Sequence, residues 1–516
     1  MNITQQFEKT PDKQALIVVE TGEVLTYRDL EMGSRRLAWK FEQWGFEPGE
    51  RIAIFMDNRP EVFIILWAGL RMGLRIVPIN RFLKTDEVAF IIEDSDARAV
   101  FTSDILNDIV APLPGENLAG VEQFITAGDA PEGFSSLNEI LASGRPEPSP
   151  ERPLGATMFY TSGTTGRPKG TFSALSGQIY QEGLGEMASW LDPMMNFKPG
   201  DSFFIAAPYY HTATCSCAIA VQAVGGTLLM MKKFDAASAL AAMQQYRITH
   251  GYLVPTMFVR MLKLPEAERA AFDPSAVVCI LHTGEPCSPD VKLAMIEWWG
   301  PKFIDMYGAS ELPMGTLITS EESLRKPGSV GLPFDCTIHI TDDEGNELPA
   351  GEIGTIYFEP TTAPKAVYHK HSVKKEDSLH ARGWISVGDV GYLDEDGYLF
   401  LTDRKNYIVI SGGVNIYPRE SEIALLAHPD VLDVVSFGLP DPDMGERLVS
   451  VVEAVSGVTP DEDLAQRIIA HCRAKIAHYK CPKEIFFEDE LPRLPTGKIY
   501  KNVIRDEYLA RTSKKT

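Results

Sequence analysis

Unbroken apolar runs alternate with amphipathic stretches over most of this chain. Arg51-Ile52-Ala53-Ile54-Phe55-Met56 has the length and continuous apolar character of a buried strand. Pro60 then sits where a helix needs no N–H, and it opens an apolar helix through Leu66 and Leu70. Val277-Val278-Cys279-Ile280-Leu281 repeats the strand pattern, and Ser288-Pro289-Asp290 the helix start. Such βα alternation predicts parallel sheets covered by helices. Residues 202–231 carry no Asp, Glu, Lys or Arg, so a membrane span has to be considered. Pro208, His211, Gln222 and the Gly225-Gly226 pair interrupt that stretch, which predicts a buried strand, helix and strand instead. The Pro-, Gly- and Glu-rich stretch 111–153 reads as a surface excursion. Near residue 384 the pattern changes. Gly391 to Leu401 reads as a hairpin around an acidic Gly turn, and a smaller α+β pattern follows to the end.

Composition narrows the classes. At 516 residues the chain should hold two to four structural units. Hydrophobic content of 44% and charged content of 23% are those of an ordinary soluble globular protein. A net charge of −22 argues against a nucleic-acid binder, which would show a basic face, yet local donors on an acidic protein still bind anions. Seven scattered cysteines do not suggest a disulfide framework, and Cys215 and Cys217 read as buried small hydrophobes. The polar N-terminus, Met1 to Glu8, lacks an apolar signal core. The expectation is a cytoplasmic protein with no integral membrane segment.

The strongest chemical signal is Tyr160-Thr161-Ser162-Gly163-Thr164-Thr165-Gly166-Arg167-Pro168-Lys169-Gly170. Glycines let backbone N–H groups approach an anion, hydroxyls add donors, and Lys169 supplies a point charge. The stretch describes a loop that grips a polyphosphate. It is not a Walker A loop, because Gly163 and Gly166 are too close and Gly170 follows Lys169.

This stretch resembles the phosphate loop of the adenylate-forming superfamily: acyl-CoA synthetases, firefly luciferase and the adenylation domains of peptide synthetases. Further motifs follow in the family's order over nearly the whole chain. Pro208-Tyr209-Tyr210-His211 resembles the aromatic-His segment beside the acyl pocket, with His211 as a pocket wall or gate. Thr283-Gly284-Glu285-Pro286 resembles the segment that packs on adenine. Tyr307-Gly308-Ala309-Ser310-Glu311 resembles Tyr-Gly-x-Thr-Glu, with Ser310 in place of the usual Thr. Gly388-Asp389 resembles the ribose-binding segment, and Arg404 the arginine that reaches ribose and phosphate. Ser411-Gly412-Gly413-Val414 through Pro418 resembles the segment that meets the thiol channel, and Pro495-Thr496-Gly497-Lys498 the C-terminal Gly-Lys loop.

The resemblance implies an α/β fold: a large N-terminal domain of helix-covered, mostly parallel sheets plus a β-subdomain, with a smaller mobile α+β lid. The boundaries implied are 1–404 and 405–516, with a hinge near 404–406, where Asn406 stands in place of the family's Asp or Lys. It implies ATP, Mg²⁺ and CoA as cofactors, Lys498, Glu311 and His211 as residues of the catalytic site, with His211 as a wall or gate and not a general base, and Glu311 with Thr165 on the metal. The implied activity is ATP-dependent acid–CoA ligation through acyl-AMP. Tyr210, Tyr252, Phe258, Met306, Leu312 and Met314 favour an apolar medium- or long-chain, steroid side-chain or aryl acid over acetate. A carnitine-type acid, an acceptor other than CoA, and a nucleotide sensor without turnover stay open, as does a homodimer. No Gly-Gly-x-Ser carrier motif follows the lid, which disfavours a modular peptide synthetase.

Overall fold

The computed structural model describes residues 1–115, 118, 120–161, 168–173, 175–285, 287–308, 315–361, 366–368, 379–493 and 499–513. They divide into two compact units. One comprises Met1–Gly284, Met295–Met314 and Ala363–Val373, the other Glu285–Ala294, Gly315–Thr362 and Lys374–Thr516.

The first unit contains two sheets. In one, the strands run in the order Phe303–Tyr307, Cys279–His282, His250–Leu253, Ser202–Ile205, Thr227–Met230, Gln14–Val18 and Val24–Thr26. All pairs are parallel except the last. In the other, the order is Ala366–Tyr368, Lys169–Ser173, Ala156–Thr161, Arg75–Pro78, Arg51–Phe55, Ala97–Ser103, Gln123–Ala127 and Ser135–Ser136. Its core pairs are parallel, and the first two pairs, which include Lys169–Ser173, are antiparallel. The chargeless stretch is the strand Ser202–Ile205, the helix Thr212–Val224 and the strand Thr227–Met230, as its interruptions predict. Among the described residues no helix is long and apolar enough to cross a membrane.

Two expectations are corrected. The stretch 111–153 is not only a surface excursion: Gln123–Ala127 joins the second sheet, with Ile125 and Ala127 fully buried, and Leu137 on the helix Leu137–Ser143 is buried too. Its Pro and Gly residues lie in the connections, while five residues of strand suffice to enter a sheet. The strand expected from Val277 begins at Cys279, because Val278 is 46% exposed.

The helix Pro60–Arg71 is buried over nearly its whole surface. Gly69 lets it lie on the sheet: a Cβ there would come within 2.7 Å of Ile76 Cγ1. The helix ends on Arg71, whose guanidinium donates to Glu31 Oε2 at 2.7 Å and Ser34 Oγ at 2.9 Å. Burial alone would raise the Glu31 carboxyl, but Arg71 and Arg35 hold it below its ordinary range. Trp67 Nε1 donates to Gln222 Oε1 at 2.7 Å, and the Tyr27 hydroxyl donates to the Gln222 and Gly226 carbonyls at 3.0 and 2.7 Å. At the strand ends, the Tyr209 hydroxyl donates to Ile54 O at 2.9 Å and accepts from Met56 N at 3.1 Å. Asn58 Nδ2 donates to Met231 O at 3.0 Å, and Asn58 Oδ1 accepts from Tyr209 N at 3.1 Å.

The second unit begins with antiparallel strands in the order Cys336–Thr341, Gly354–Pro360, Asp389–Leu393, Leu399–Arg404, Ser329–Pro333 and Thr316–Thr319. The acidic Gly turn is present between Asp389–Leu393 and Leu399–Arg404, with Gly397 N donating to Asp394 O at 3.0 Å. A smaller sheet follows, ordered Val414–Ile416, Val409–Ser411, Gly445–Ala454 and Val431–Asp441, with Glu484–Phe487 added parallel to Gly445–Ala454. The helices Pro418–Leu426, Glu462–Lys475 and Lys501–Ser513 cover it. Among the described residues, three of its apolar clusters draw on residues between Val409 and Leu509.

Tyr209→Phe should keep the fold but strand two buried backbone groups. We expect a loss of about 1–3 kcal/mol, seen as a lower denaturant midpoint with an unchanged slope. An unchanged midpoint would show that the hydroxyl does not tie these strand ends together.

Candidate active site

The polyphosphate-loop candidate is carried by a hairpin. Strands Ala156–Thr161 and Lys169–Ser173 pair antiparallel, with Tyr160 opposite Gly170 and Thr161 opposite Lys169. Residues 162–168 therefore connect two paired strands, whereas a Walker A loop leads from a strand into a helix. Ser162, Gly163, Thr164, Thr165 and Gly166 lie outside the described residues; Thr161 and Lys169 form the base of the loop. The Tyr160 hydroxyl donates to Asp94 Oδ2 at 2.7 Å. Gly170 permits the close packing at this base, since a Cβ would lie 2.5 Å from Met158 Cε and 3.0 Å from Tyr160 Cζ.

Several other candidates sit at the C-terminal ends of parallel strands in the first unit, where open α/β sheets bind ligands. Gly284 follows the strand Cys279–His282 with φ +93°, a conformation open to glycine, and a Cβ there would meet the Tyr252 hydroxyl at 3.5 Å. Tyr307 closes the strand Phe303–Tyr307, and Gly308 follows it, exposed. Pro286, Ser310, Glu311, Leu312 and Met314 lie outside the described residues. Phe258 is a core residue, its ring 5.2 Å from His282 and 5.4 Å from Phe303. Motif reading missed the buried pair His282 and Asp305, neighbours across two parallel strands with Nδ1 and Oδ1 3.5 Å apart. Two polar residues ending adjacent apolar strands were the available signal.

His211 precedes the helix Thr212–Val224, and its ring lies 4.7 Å from that of Tyr210. Its Nε2 is buried without a hydrogen-bond partner among the described residues. Burial lowers its pKa to about 4, so the imidazole is neutral at pH 7 and weakly basic. That suits a pocket wall and not a general base. Cys215 and Cys217 on the same helix are buried thiols, pushed up to about 12 by burial.

In the second unit, Asp389 and Arg404 stand opposite each other on paired strands, and Arg404 Nε donates to Asp389 Oδ1 at 3.1 Å. The neighbouring Asp403 does not pair with that guanidinium. Its carboxylate accepts from the backbone N–H of Arg404 at 2.7 Å and of Arg419 at 3.0 Å, and burial raises its pKa. Gly412 and Gly413 form the two-residue turn between the paired Ser411 and Val414, with φ of +57° and +79°. Positive φ at both central residues fits the tight hairpin turns that match strand twist. Glu285 opens the turn after Gly284, and Lys498 lies outside the described residues. Among the described residues no group of three or more His, Cys, Asp or Glu could hold a metal ion. Both proposed Mg²⁺ ligands, Glu311 and Thr165, lie outside them.

The lowered His211 pKa has a pH consequence. Between about 6.5 and 4 the unfolded chain binds the proton that the folded chain refuses, so stability falls as pH drops through that window. His250, His428 and His471 shift the same way and add to the effect. His211→Gln should remove its share, on the order of 1–3 kcal/mol between pH 7 and 4. Denaturant titrations across that range check it; identical pH profiles for the two proteins would refute it.

Comparison with known proteins gives the same assignment. Residues 3–366 match the family model described as AMP-binding enzyme, and residues 420–498 the AMP-binding enzyme C-terminal domain. A long-chain-fatty-acid–CoA ligase of Mycobacterium tuberculosis is 30% identical over 520 residues, covering 99% of each chain. A sulfoacetate–CoA ligase of Cupriavidus necator is 29% identical over 493 residues, covering 95% of this chain and 94% of the other. Among solved structures, the o-succinylbenzoate–CoA synthetase of Bacillus subtilis in complex with ATP and magnesium ion aligns with a TM-score of 0.79. The identity is 27%, over 98% of this chain and 99% of that one. With a phosphate-loop candidate on a hairpin and both domain models matched in order, this chain belongs to the AMP-binding enzyme family, the adenylate-forming superfamily of AMP-forming acid–CoA ligases that its motifs resemble.

Proposed function

We propose that this protein joins an apolar or ring-bearing carboxylic acid to CoA at the expense of ATP, through an enzyme-bound acyl-AMP. The observation that carries this reading is the hydroxyl- and glycine-rich loop set between the paired Thr161 and Lys169, in a chain that matches both family domains. A carboxylate is a poor electrophile but is already ionised at pH 7, so it needs activation rather than a base. One carboxylate oxygen attacks the α-phosphorus of ATP, and pyrophosphate leaves with the electrons of the broken P–O bond. Such transfer depends on positioning and charge stabilisation more than on covalent help.

The 161–170 loop would hold the departing phosphates. Asp389 would accept from the ribose hydroxyls, since a carboxylate is acceptor-only with two oxygens, and Arg404, its partner, would reach the same sugar and the phosphate. Lys498 would offset the charge gathered where carboxylate and α-phosphate meet. Mg²⁺, bound through the oxygens of Glu311 and Thr165, would neutralise part of the phosphate charge. In the second step the CoA sulfur attacks the acyl carbonyl and AMP leaves. The Gly412-Gly413 turn would face the thiol channel at that stage, after rotation about a hinge near Asn406. Tyr210 and Tyr252, both buried, would line the acid pocket and favour an apolar or ring-bearing acid. The relatives act on chemically different acids, so the lining of this pocket has to decide the choice.

The decisive experiment is a panel of fatty, steroid side-chain, aryl and carnitine-type acids, read by pyrophosphate release and by CoA-dependent AMP formation. AMP formation independent of CoA would turn the reading to another acceptor, and no pyrophosphate with any acid would sink it.

Lys498→Ala should cut acyl-AMP formation about a hundredfold or more while largely sparing thioester formation from supplied acyl-AMP. Equal losses in both steps would contradict this role. Asp389→Ala should raise the apparent KM for ATP by at least about tenfold with a smaller change in kcat, because a ribose contact is made in ground and transition states alike. ATP kinetics identical to wild type would leave Asp389 as a hairpin residue only.

A further inference from the structure

Two carboxylates face each other across the smaller sheet. Asp433 and Glu453 are direct partners on the antiparallel strands Val431–Asp441 and Gly445–Ala454. Like charges so placed repel, and both side chains are enclosed, at 13% and 12% exposed. Arg493 answers both. Its Nη1 stands 2.7 Å from Asp433 Oδ2, and its Nη2 donates to Glu453 Oε2 at 3.1 Å. The same Glu453 oxygen accepts from Leu491 N at 3.1 Å, and Asp433 Oδ1 accepts from Val434 N at 2.8 Å. One planar fork thus spans two strands, a geometry that a lysine ammonium does not reproduce. Burial pushes the Asp433 carboxyl up, and the arginine works against that.

Arg493 also precedes the connection 494–498, which contains Lys498. The chain returns at Ile499, which bridges Arg493 antiparallel, and Tyr500 N donates to Pro492 O at 2.7 Å. Leu491 and Ile499 both pack in the apolar cluster of Val435, Phe437 and Val449. The two ends of the connection therefore share one base on the sheet. A backbone of five residues tied at both ends reaches at most about 10 Å from that base. Where the base sits decides where the lysine can act.

Stability does not ask for this arrangement. The apolar cluster and the bridge already seat the base, and apolar residues in place of an enclosed ion group are often as stable or more so. Two opposed carboxylates lower stability unless a cation is held between them. What they add is direction: charge-assisted hydrogen bonds from two strands fix the guanidinium in position and in rotation.

We propose that Asp433 and Glu453 form a socket for Arg493, a positioning residue that sets the base of the 494–498 connection so that Lys498 reaches the α-phosphate. This rests on the ligase reading above and on the role given there to Lys498, and it adds the three residues of the socket. Arg493 touches neither acid nor nucleotide; it acts through the lysine.

The test uses the full-length enzyme with an acid that releases pyrophosphate in the panel above. Four quantities are read: the single-turnover rate of acyl-AMP formation, the apparent KM values, the denaturant midpoint, and hydrogen exchange at the Leu491 and Tyr500 amides. Arg493→Met should slow acyl-AMP formation at least about tenfold, with the KM values for ATP and acid within about twofold of wild type. Exchange at the two amides should quicken. In a Lys498→Ala background the same change should slow the reaction no further, since Arg493 acts through that lysine. Adding Asp433→Asn and Glu453→Gln to Arg493→Met removes the repulsion, so the denaturant midpoint should recover while the rate does not. A rate that recovers with the midpoint overturns the proposal and leaves Arg493 a stabilising residue. A wild-type rate in Arg493→Met, a further loss in the Lys498→Ala background, or unchanged exchange overturns it as well. If Arg493→Met does not fold, Arg493→Lys keeps the charge and loses the fork. It should slow the reaction about threefold, and a wild-type rate there is equally fatal. Wild-type enzyme that releases no pyrophosphate with any acid, or Lys498→Ala at the wild-type rate, sinks the reading beneath, whereas the outcomes above sink the socket alone.

Discussion

Two helices without a polar face constrain the first unit. Pro60–Arg71 is buried at every residue but Glu61, and Thr212–Val224 is buried from Cys217 to its end. A helix apolar all round has to be enclosed from all sides, and one sheet can cover only one of them. Enclosure brings polar groups inside with the apolar ones, and each must find a partner. The links Trp67–Gln222, Tyr27–Gln222 and Arg71–Glu31 are how these helices meet that demand. The bonds from Tyr209 and Asn58 do the same at the strand ends. This polar framework fixes the helix positions more tightly than apolar contact alone, since hydrogen bonds are directional and burial is not.

That framework sets the stage for chemistry at strand ends. His211 stands where a buried strand gives way to a buried helix, which is why it is desolvated and neutral. Gly284 follows a fully buried strand with its φ positive, so the chain turns out at the edge where a ligand can be met. The phosphate-loop candidate is held differently, across the base of a hairpin stiffened by Tyr160–Asp94 and by the Gly170 contact. A loop rich in glycine pays heavily in conformational entropy when it orders, and anchoring both ends in paired strands lowers that cost.

The second unit works through charge. Two ion pairs, Asp389–Arg404 and Lys501–Glu422, and the hydrogen bond from the Arg419 amide to Asp403 tie down residues of the stretch 389–422, which contains the expected pivot. Such contacts have narrow geometric optima and can be exchanged at modest net cost.

Periodicity determined the α/β class, the buried strand–helix–strand at 202–231 and the acidic Gly hairpin, and the resemblance of its motifs pointed to the family that the comparisons show. Those features depend on residue type at fixed separations, which a single sequence records completely. The stretch 111–153 was misjudged because its Pro and Gly residues, at the connections, outweigh five strand residues in composition. Only the tertiary structure decided that Phe258 belongs to the core, that Arg404 pairs with Asp389 and not with adjacent Asp403, and that His282 meets Asp305. Each of these is a choice among partners distant in sequence or on different strands. It is set by sheet register and helix docking, for which one linear pattern carries no coordinate.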